Sequence, residues 1–342
     1  MSDDQRLDRA VHFCLGYLPI MKCHYRMVVF AFLVITTLAS SRPASAETPL
    51  RIATPGALTG ALPIYLGGKK GVFSKYGLAI EVIATRNEQM NMQALMSDSV
   101  QFLTSSSTGL FYLGKQGLDA VGLASWNNSS PYSLASRVKI KDLKELKGRK
   151  IASSGAGGRA DAYIRFMLSR VGLDPRSDAQ IIPLSGGSSV RLAAVVSGNL
   201  DATLISSLQG RQAEKLGLTV IPVPLEYIWG INLTRRSYLS KNREMVKNYL
   251  RGLSDSVRLM MADKASTIAV MQQVLKMDDP DSLEYAYQTM RADARPDLFP
   301  TEEAILNVLR TMSYEDPAFA SIPPYKFFDL SLIQELKAEA RR

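Results

Sequence analysis

The 342-residue chain is 46% hydrophobic and sets 41 Lys and Arg against 32 Asp and Glu, a net charge of +9. It is longer than one core usually grows, so two lobes are expected, and its bases (Lys69-Lys70, Lys139 to Lys150, Arg235-Arg236) are too dispersed for a nucleic-acid-binding face. Both histidines, His12 and His24, and both cysteines, Cys14 and Cys23, lie in the first 24 residues.

That crowding matters because the same region reads as an export leader. Met27 to Leu38 is a mainly apolar run behind Lys22 and Arg26, and it leads to the small-residue site Ala44-Ser45-Ala46. The run is too short for the roughly 20 apolar residues of a membrane span. A lipid anchor needs a cysteine just after the run, and Cys23 precedes it. Cleavage after Ala46 is therefore expected to release a soluble periplasmic chain beginning at Glu47, with no His and no Cys. Such a chain has no thiol nucleophile, no His-based triad, no disulfide and none of the usual His or Cys ligands of zinc, haem or iron–sulfur clusters. Asp161, Asp201 and Glu226 fall in different elements, so no catalytic residue, metal or cofactor is expected.

From Leu50 onward strand-like and helix-like segments alternate, the pattern of an α/β fold. Leu50 to Ala53 reads as a strand, Ala61 to Gly68 as a helix with Pro63 in its first turn, and Leu78 to Ala84 as a strand after the Gly77 turn. Asn87 to Met96 is predicted helical and Val100 to Thr104 extended. A Ser105 to Ser107 loop is expected to cap the next helix, and Leu118 to Ser125 follows. Tyr132 to Arg137 is a candidate first crossover between lobes. Arg149 to Ser153, Ala179 to Pro183, Leu200 to Ser206 and Leu218 to Val223 are expected strands. Arg159 to Val171, Ser188 to Ser197 and Leu208 to Leu216 lie between them as helices. Trp229 to Thr234 is the candidate return crossover, and the chain from Tyr238 onward reads as helical, broken near Asp278 to Pro280, Arg295-Pro296 and Ile322 to Pro324. One internal echo, Leu95 to Phe102 against Val195 to Ala202, runs both times from a helix end through a polar turn into a strand.

In an open α/β sheet ligands bind beyond the carboxyl ends of the strands. Here the joints there are rich in Gly, Ser, Thr and Asn, and several open helices whose first N–H groups suit an oxyanion. The candidates are Thr59, Arg86, Ser105, Ser106, Ser107, Asn127, Gly157, Gly158, Arg159, Ser188 and Ser207, with Tyr227 and Trp229 beside the return crossover. Each joint taken singly also suits an ordinary helix cap. Gly155 to Gly158 is neither a phosphate-cradling P-loop nor a dinucleotide fingerprint. Arg191, one turn inside its helix, reads as a surface residue.

The segments Arg51 to Thr54, Leu62 to Tyr65, Lys70 to Phe73, Tyr76 to Leu78 and Leu146 to Lys150 together resemble the periplasmic solute-binding proteins of ABC importers, nitrate/sulfonate/taurine branch, which is related to thiamine-precursor binding proteins. The resemblance spans the chain beyond Ala46. It implies a type II periplasmic-binding-protein fold, α/β, with two Rossmann-like lobes joined by two crossover strands: 1–46 leader, 47–130 first lobe, 131–228 second lobe, 229–342 return to the first with a helical C-terminus. It places the ligand loops at Thr59, Ser105 to Ser107, Gly157 to Arg159, Ser188 and Tyr227 to Trp229. It further implies a monomer that binds a small-molecule solute, a small organic anion, and hands it to an ABC permease of the inner membrane. A neutral aromatic or pyrimidine-like solute is the alternative, as is an enzyme like the thiamine-precursor synthases. Those synthases use an active-site histidine and a cysteine-rich motif, which the chain beyond Ala46 lacks.

Overall fold

The computed structural model describes residues 47–341 except 56–58, 86–87, 131, 155–158, 185–186, 224 and 229, and only the main chain of 55, 59, 88, 159 and 207. The leader and the candidates Arg86, Gly157, Gly158 and Trp229 lie outside the described residues. The alternation read from the sequence is present. β1 (Thr48–Pro55), α1 (Leu62–Lys69), β2 (Leu78–Thr85), α2 (Glu88–Met96), β3 (Phe102–Ser106), α3 (Ser107–Lys115) and β4 (Val121–Ala124) come first. Then come β5 (Tyr132–Ser136), β6 (Lys150–Ser153), α4 (Arg159–Arg170), β7 (Gln180–Pro183), α5 (Ser188–Val196), β8 (Ala202–Ser206), α6 (Gly210–Lys215) and β9 (Thr219–Pro222). β10 (Gly230–Thr234) precedes α7 (Arg236–Lys241), α8 (Arg243–Ala262), α9 (Lys264–Leu275), α10 (Pro280–Asp293), α11 (Glu302–Met312) and α12 (Ser331–Glu339).

Among the described residues the strands form two five-stranded sheets, ordered β2-β1-β3-β10-β4 and β7-β6-β8-β5-β9. β2 and β3 run parallel to β1, while β10 is antiparallel to both β3 and β4. In the second sheet β7 and β8 run parallel to β6, while β5 is antiparallel to β8 and β9. The reversed strand in each sheet is the one the chain enters on arriving from the other sheet. Its register fixes where the crossing happens: Tyr132 lies opposite Ser206, and Gly230 opposite Ser106. Both crossings therefore join the carboxyl edges of the two sheets, the edges at which open α/β sheets take ligands.

β3 is buried along its whole length because helices cover both faces of its sheet. The largest helix, α8, buries Val246, Tyr249, Leu250, Leu253, Val257 and Met260 at three- and four-residue spacing. It approaches closely at Gly252, where an added Cβ would sit 2.4 Å from the Phe73 ring. Tyr249 packs on Phe102 at 4.1 Å between ring centroids and donates its hydroxyl to Asn232 Oδ1 at 2.7 Å, tying β10 to α8. One apolar cluster joins Leu103 and Phe111 of the first sheet's layer to Leu134, Ile151 and Ile164 of the second. Ala304, Ile305 and Val308 of α11 belong to it, so this helix bridges the two bodies.

The internal echo is conformational as well as textual. Asp98 (φ 63°) and Gly198 (φ 83°) occupy the same place in the two segments, both left-handed. Asp98 N donates to Leu95 O and Val100 N to Ala94 O; Gly198 N donates to Val195 O and Leu200 N to Ala194 O. Each turn sends a helix into a parallel strand, as in the helix endings closed by a left-handed residue.

Candidate functional site

The site is built around the two crossing segments, from Ala124 to Tyr132 and from Pro222 to Gly230. They pair with each other through the Ser129–Glu226 bridge and through Tyr227 N, which donates to Asn128 O at 2.9 Å. Buried hydrogen bonds anchor them to the first sheet's body. Trp126, 1% exposed, donates its indole N–H to Gly60 O at 2.7 Å. Ser125 Oγ donates to Gly230 O at 2.9 Å, and Asn128 Nδ2 to Phe299 O at 3.0 Å. Asn127 forms a bridge with Ala294, between the first crossing and the end of α10.

The three serines expected as a capping loop are placed differently. Ser105 and Ser106 complete β3, all three are buried, and α3 begins at Ser107 with no side-chain cap from Ser106. The reason is register: β10 pairs with β3 out to Ser106, so the ladder holds the serines extended. Ser107 Oγ donates across to Ile228 O at 2.5 Å, and Ser106 Oγ meets Thr108 Oγ1 at 2.9 Å. Ser188 is the first residue of α5 rather than its cap, which is Gly187. Its hydroxyl donates to Gln209 Oε1 at 3.2 Å, and the same oxygen accepts from Ser206 N at 3.1 Å. The main chain of Thr59 opens a 3-10 turn, that of Ser207 another, and that of Arg159 starts α4.

Tyr227 is 4% exposed and packs in a tyrosine cluster, 5.3 Å between centroids from Tyr163, which lies 4.8 Å from Tyr132. Burial drives the Tyr163 phenol far above its ordinary pKa, opposed by its hydrogen bond with Ser130. Arg191 is 6% exposed, not a surface residue. It lies one turn before buried Val195 on the inward stripe of α5, and that four-residue spacing was the available signal. Burial lowers the pKa of its guanidinium, partly offset by Tyr132.

Asp161 pairs with Arg165 at 2.8 Å, one helical turn on. Asp201 accepts from Lys150 N at 3.0 Å and from Arg137 at 2.7 Å, so both carboxylates have structural partners. Among the described residues no group of three or more His, Cys, Asp or Glu is placed to hold a metal, and no helix is long and apolar enough to cross a membrane. α3 and α5 both start at carboxyl edges of the sheets, and neither has a side-chain cap at its first N–H groups. Uncapped helix starts carry partial positive charge and donors aimed along the axis, which suits an anion.

The NMT1/THI5-like family matches residues 59–266. The Bacillus subtilis (strain 168) protein YtlA is 22% identical over 232 residues, covering 65% of this chain and 69% of its own. Among solved structures, the chain is similar to the periplasmic aliphatic sulphonate binding protein SsuA from Escherichia coli (TM-score 0.64, 18% identity, 81% of this chain and 90% of that one). It is also similar to the periplasmic nitrate-binding protein NrtA from Synechocystis PCC 6803 (TM-score 0.59, 16% identity, 85% and 89%). These likenesses show the fold: two α/β lobes of the periplasmic-binding-protein type joined by two crossing strands.

Proposed function

We propose that this chain, which belongs to the NMT1/THI5-like family, is the periplasmic substrate-binding component of an ABC-type importer, capturing a small organic anion of the sulfonate, nitrate or taurine kind. The observation that carries the anion is the pair of uncapped helix starts, α3 and α5, on the carboxyl edges that the two crossings join. The lobes run over 47–130 with 229–342, and over 131–228. Ligand touches both only when they close, so its differential affinity for the closed state drives closure. Thr59, Arg86, Ser105 to Ser107, Asn127, Gly157 to Arg159, Ser188, Ser207, Tyr227 and Trp229 are the positions from which contacts are drawn. The chain acts as a monomeric binder rather than an enzyme, exported by cleavage after Ala46 and docking on an inner-membrane permease. The likeness in fold to a sulphonate-binding and a nitrate-binding protein supports the same reading.

The test is a thermal-shift panel of alkanesulfonates, nitrate, carboxylates and neutral pyrimidines on protein purified from the periplasm. A ligand at about 100 times its Kd adds about 2.7 kcal/mol, several degrees in melting temperature. A shift with an anion supports the proposal. Shifts with neutral pyrimidines and none with anions would replace the ligand class, and release of a chemically altered ligand would replace capture by catalysis.

A further inference from the structure

Beside the crossings, on the β9 side, lies a cavity of about 440 Å³ that neither the helix starts nor the anion reading uses. Its walls come from three parts of the molecule: the first crossing and the head of β5 (Asn128 to Ser130, Tyr132, Ser133), the second crossing (Pro222, Val223, Leu225, Glu226), and α10 (Tyr285, Thr289, Asp293). β5 and β9, whose ends line the cavity, lie three and four strand spacings, roughly 14 and 19 Å, from β7, the strand that leads into α5.

The lining has a consistent chemistry. It contains two carboxyl groups, Glu226 and Asp293, several hydroxyls and two phenol rings, and no lysine, arginine or histidine. Asp293 is half-buried, and desolvation raises its pKa against the opposing Ser129 hydrogen bond. A carboxyl group in that setting gains from an added cation. Asn128 is 5% exposed, lines the cavity, and its Oδ1 has no hydrogen-bond partner although its Nδ2 donates to Phe299 O. Acceptors outnumber fixed donors, which matches the three N–H donors of an ammonium group, and aromatic faces add cation–π attraction.

The geometry points to this cavity as a second binding site, for a small organic ammonium ion held by Asp293 with Tyr132 and Tyr285 as its walls. Because α10 belongs to the first lobe's helical C-terminus and β5 and β9 to the second sheet, an ion there ties the lobes together at the hinge. Occupancy thus favours one hinge angle over another and tunes capture in the cleft.

The experiment is isothermal titration of the full protein with benzylammonium, using benzyl alcohol and benzoate as the matched neutral and anionic probes. The same titrations are made on Asp293→Asn and on Ala292→Phe, which fills the cavity from an exposed position on its wall. Binding of benzylammonium but neither control, weakened about tenfold or more in both variants, is the expected result. Equal binding of benzyl alcohol, no binding of benzylammonium, or undiminished binding in a folded Asp293→Asn overturns it. If Asp293→Asn does not fold, Ala292→Phe decides alone. The thermal shift produced by the preferred anion is read in parallel. It should persist in both variants, and its loss along with ammonium binding would overturn the assignment of a separate site. Failure of the anion panel alone leaves the titration result standing.

Discussion

At the scale of single residues, Asp201 shows how a carboxylate that reads as ambiguous becomes structural. Burial pushes its pKa up, but the Lys150 N–H and the Arg137 guanidinium outweigh it and hold the group below the ordinary carboxylate range. A depressed folded pKa stabilises the fold above the unfolded value of about 3.9, and that contribution is lost as pH falls through the folded one. Asp201→Ala leaves the Lys150 N–H without its acceptor and should cost about 2 kcal/mol in urea unfolding near neutral pH. The gap from wild type should begin to narrow below about pH 4, as the unfolded carboxylate takes up its proton, and go on narrowing as pH falls through the lower native value. A gap independent of pH would show that lost packing, not charge, is the cause. The partners of Asp201, Arg137 and the Lys150 N–H, lie more than fifty residues before it, so its structural role could not be read locally. Sequence reasoning misjudged Ser105 and Ser106 because their extended state is imposed by β10, which arrives more than a hundred residues later.

At the scale of elements, the contact between α6 and α10 is the feature that local reading could not supply. The segment Asp278 to Pro280 looked like a break, and it is also a start: Asp279 caps α10 by accepting from Ser282 N at 3.0 Å, with Pro280 at the first helical position. Both residue types announce a helix start. Nothing in them announces that Lys215, at the end of α6, reaches Asp279 at 2.9 Å and Asp281 at 3.1 Å. Gly210 of α6 also brings its backbone against Tyr285, where a Cβ would sit 2.5 Å from the phenol oxygen. These contacts bind a helix packed on the second sheet to one whose inner face joins the core around the first. Lys215→Glu sets a like charge against two carboxylates, and the radius of gyration of the ligand-free protein in solution scattering should rise as the lobes part. The Asp279 carboxyl is pulled down to about 2, by Ser282 first and then by Lys215. The ion pair therefore persists below the ordinary carboxylate range and is lost as pH falls through about 2. An unchanged radius in Lys215→Glu would mean that the apolar bridge through α11 alone sets the ligand-free angle.

At the scale of the whole molecule, the alternation of strands and helices was legible because buried parallel strands leave continuous apolar runs, and the two reversed strands sat where the crossovers were expected. The depth of coupling between the lobes was not legible, since Ala304, Ile305 and Val308 look like any inward helix stripe until α4 is seen packed against them. This coupling sets a sharp demand on the closure mechanism. A ligand that shifts a two-state hinge from mostly open to mostly closed must prefer the closed state by several kcal/mol, about 5.5 for a change from 1:99 to 99:1. It must do so against contacts that already join the lobes on both flanks. The absence of cysteine beyond Cys23 allows a clean measurement. Lys75→Cys and Arg176→Cys place spin labels at exposed positions, one before β2 of the first sheet and one before β7 of the second. Pulsed-resonance distances should show a broad or two-peaked distribution without ligand that collapses to its shorter component at saturation. The same distribution with and without a ligand that demonstrably binds would reject hinge closure and leave capture to a site already formed.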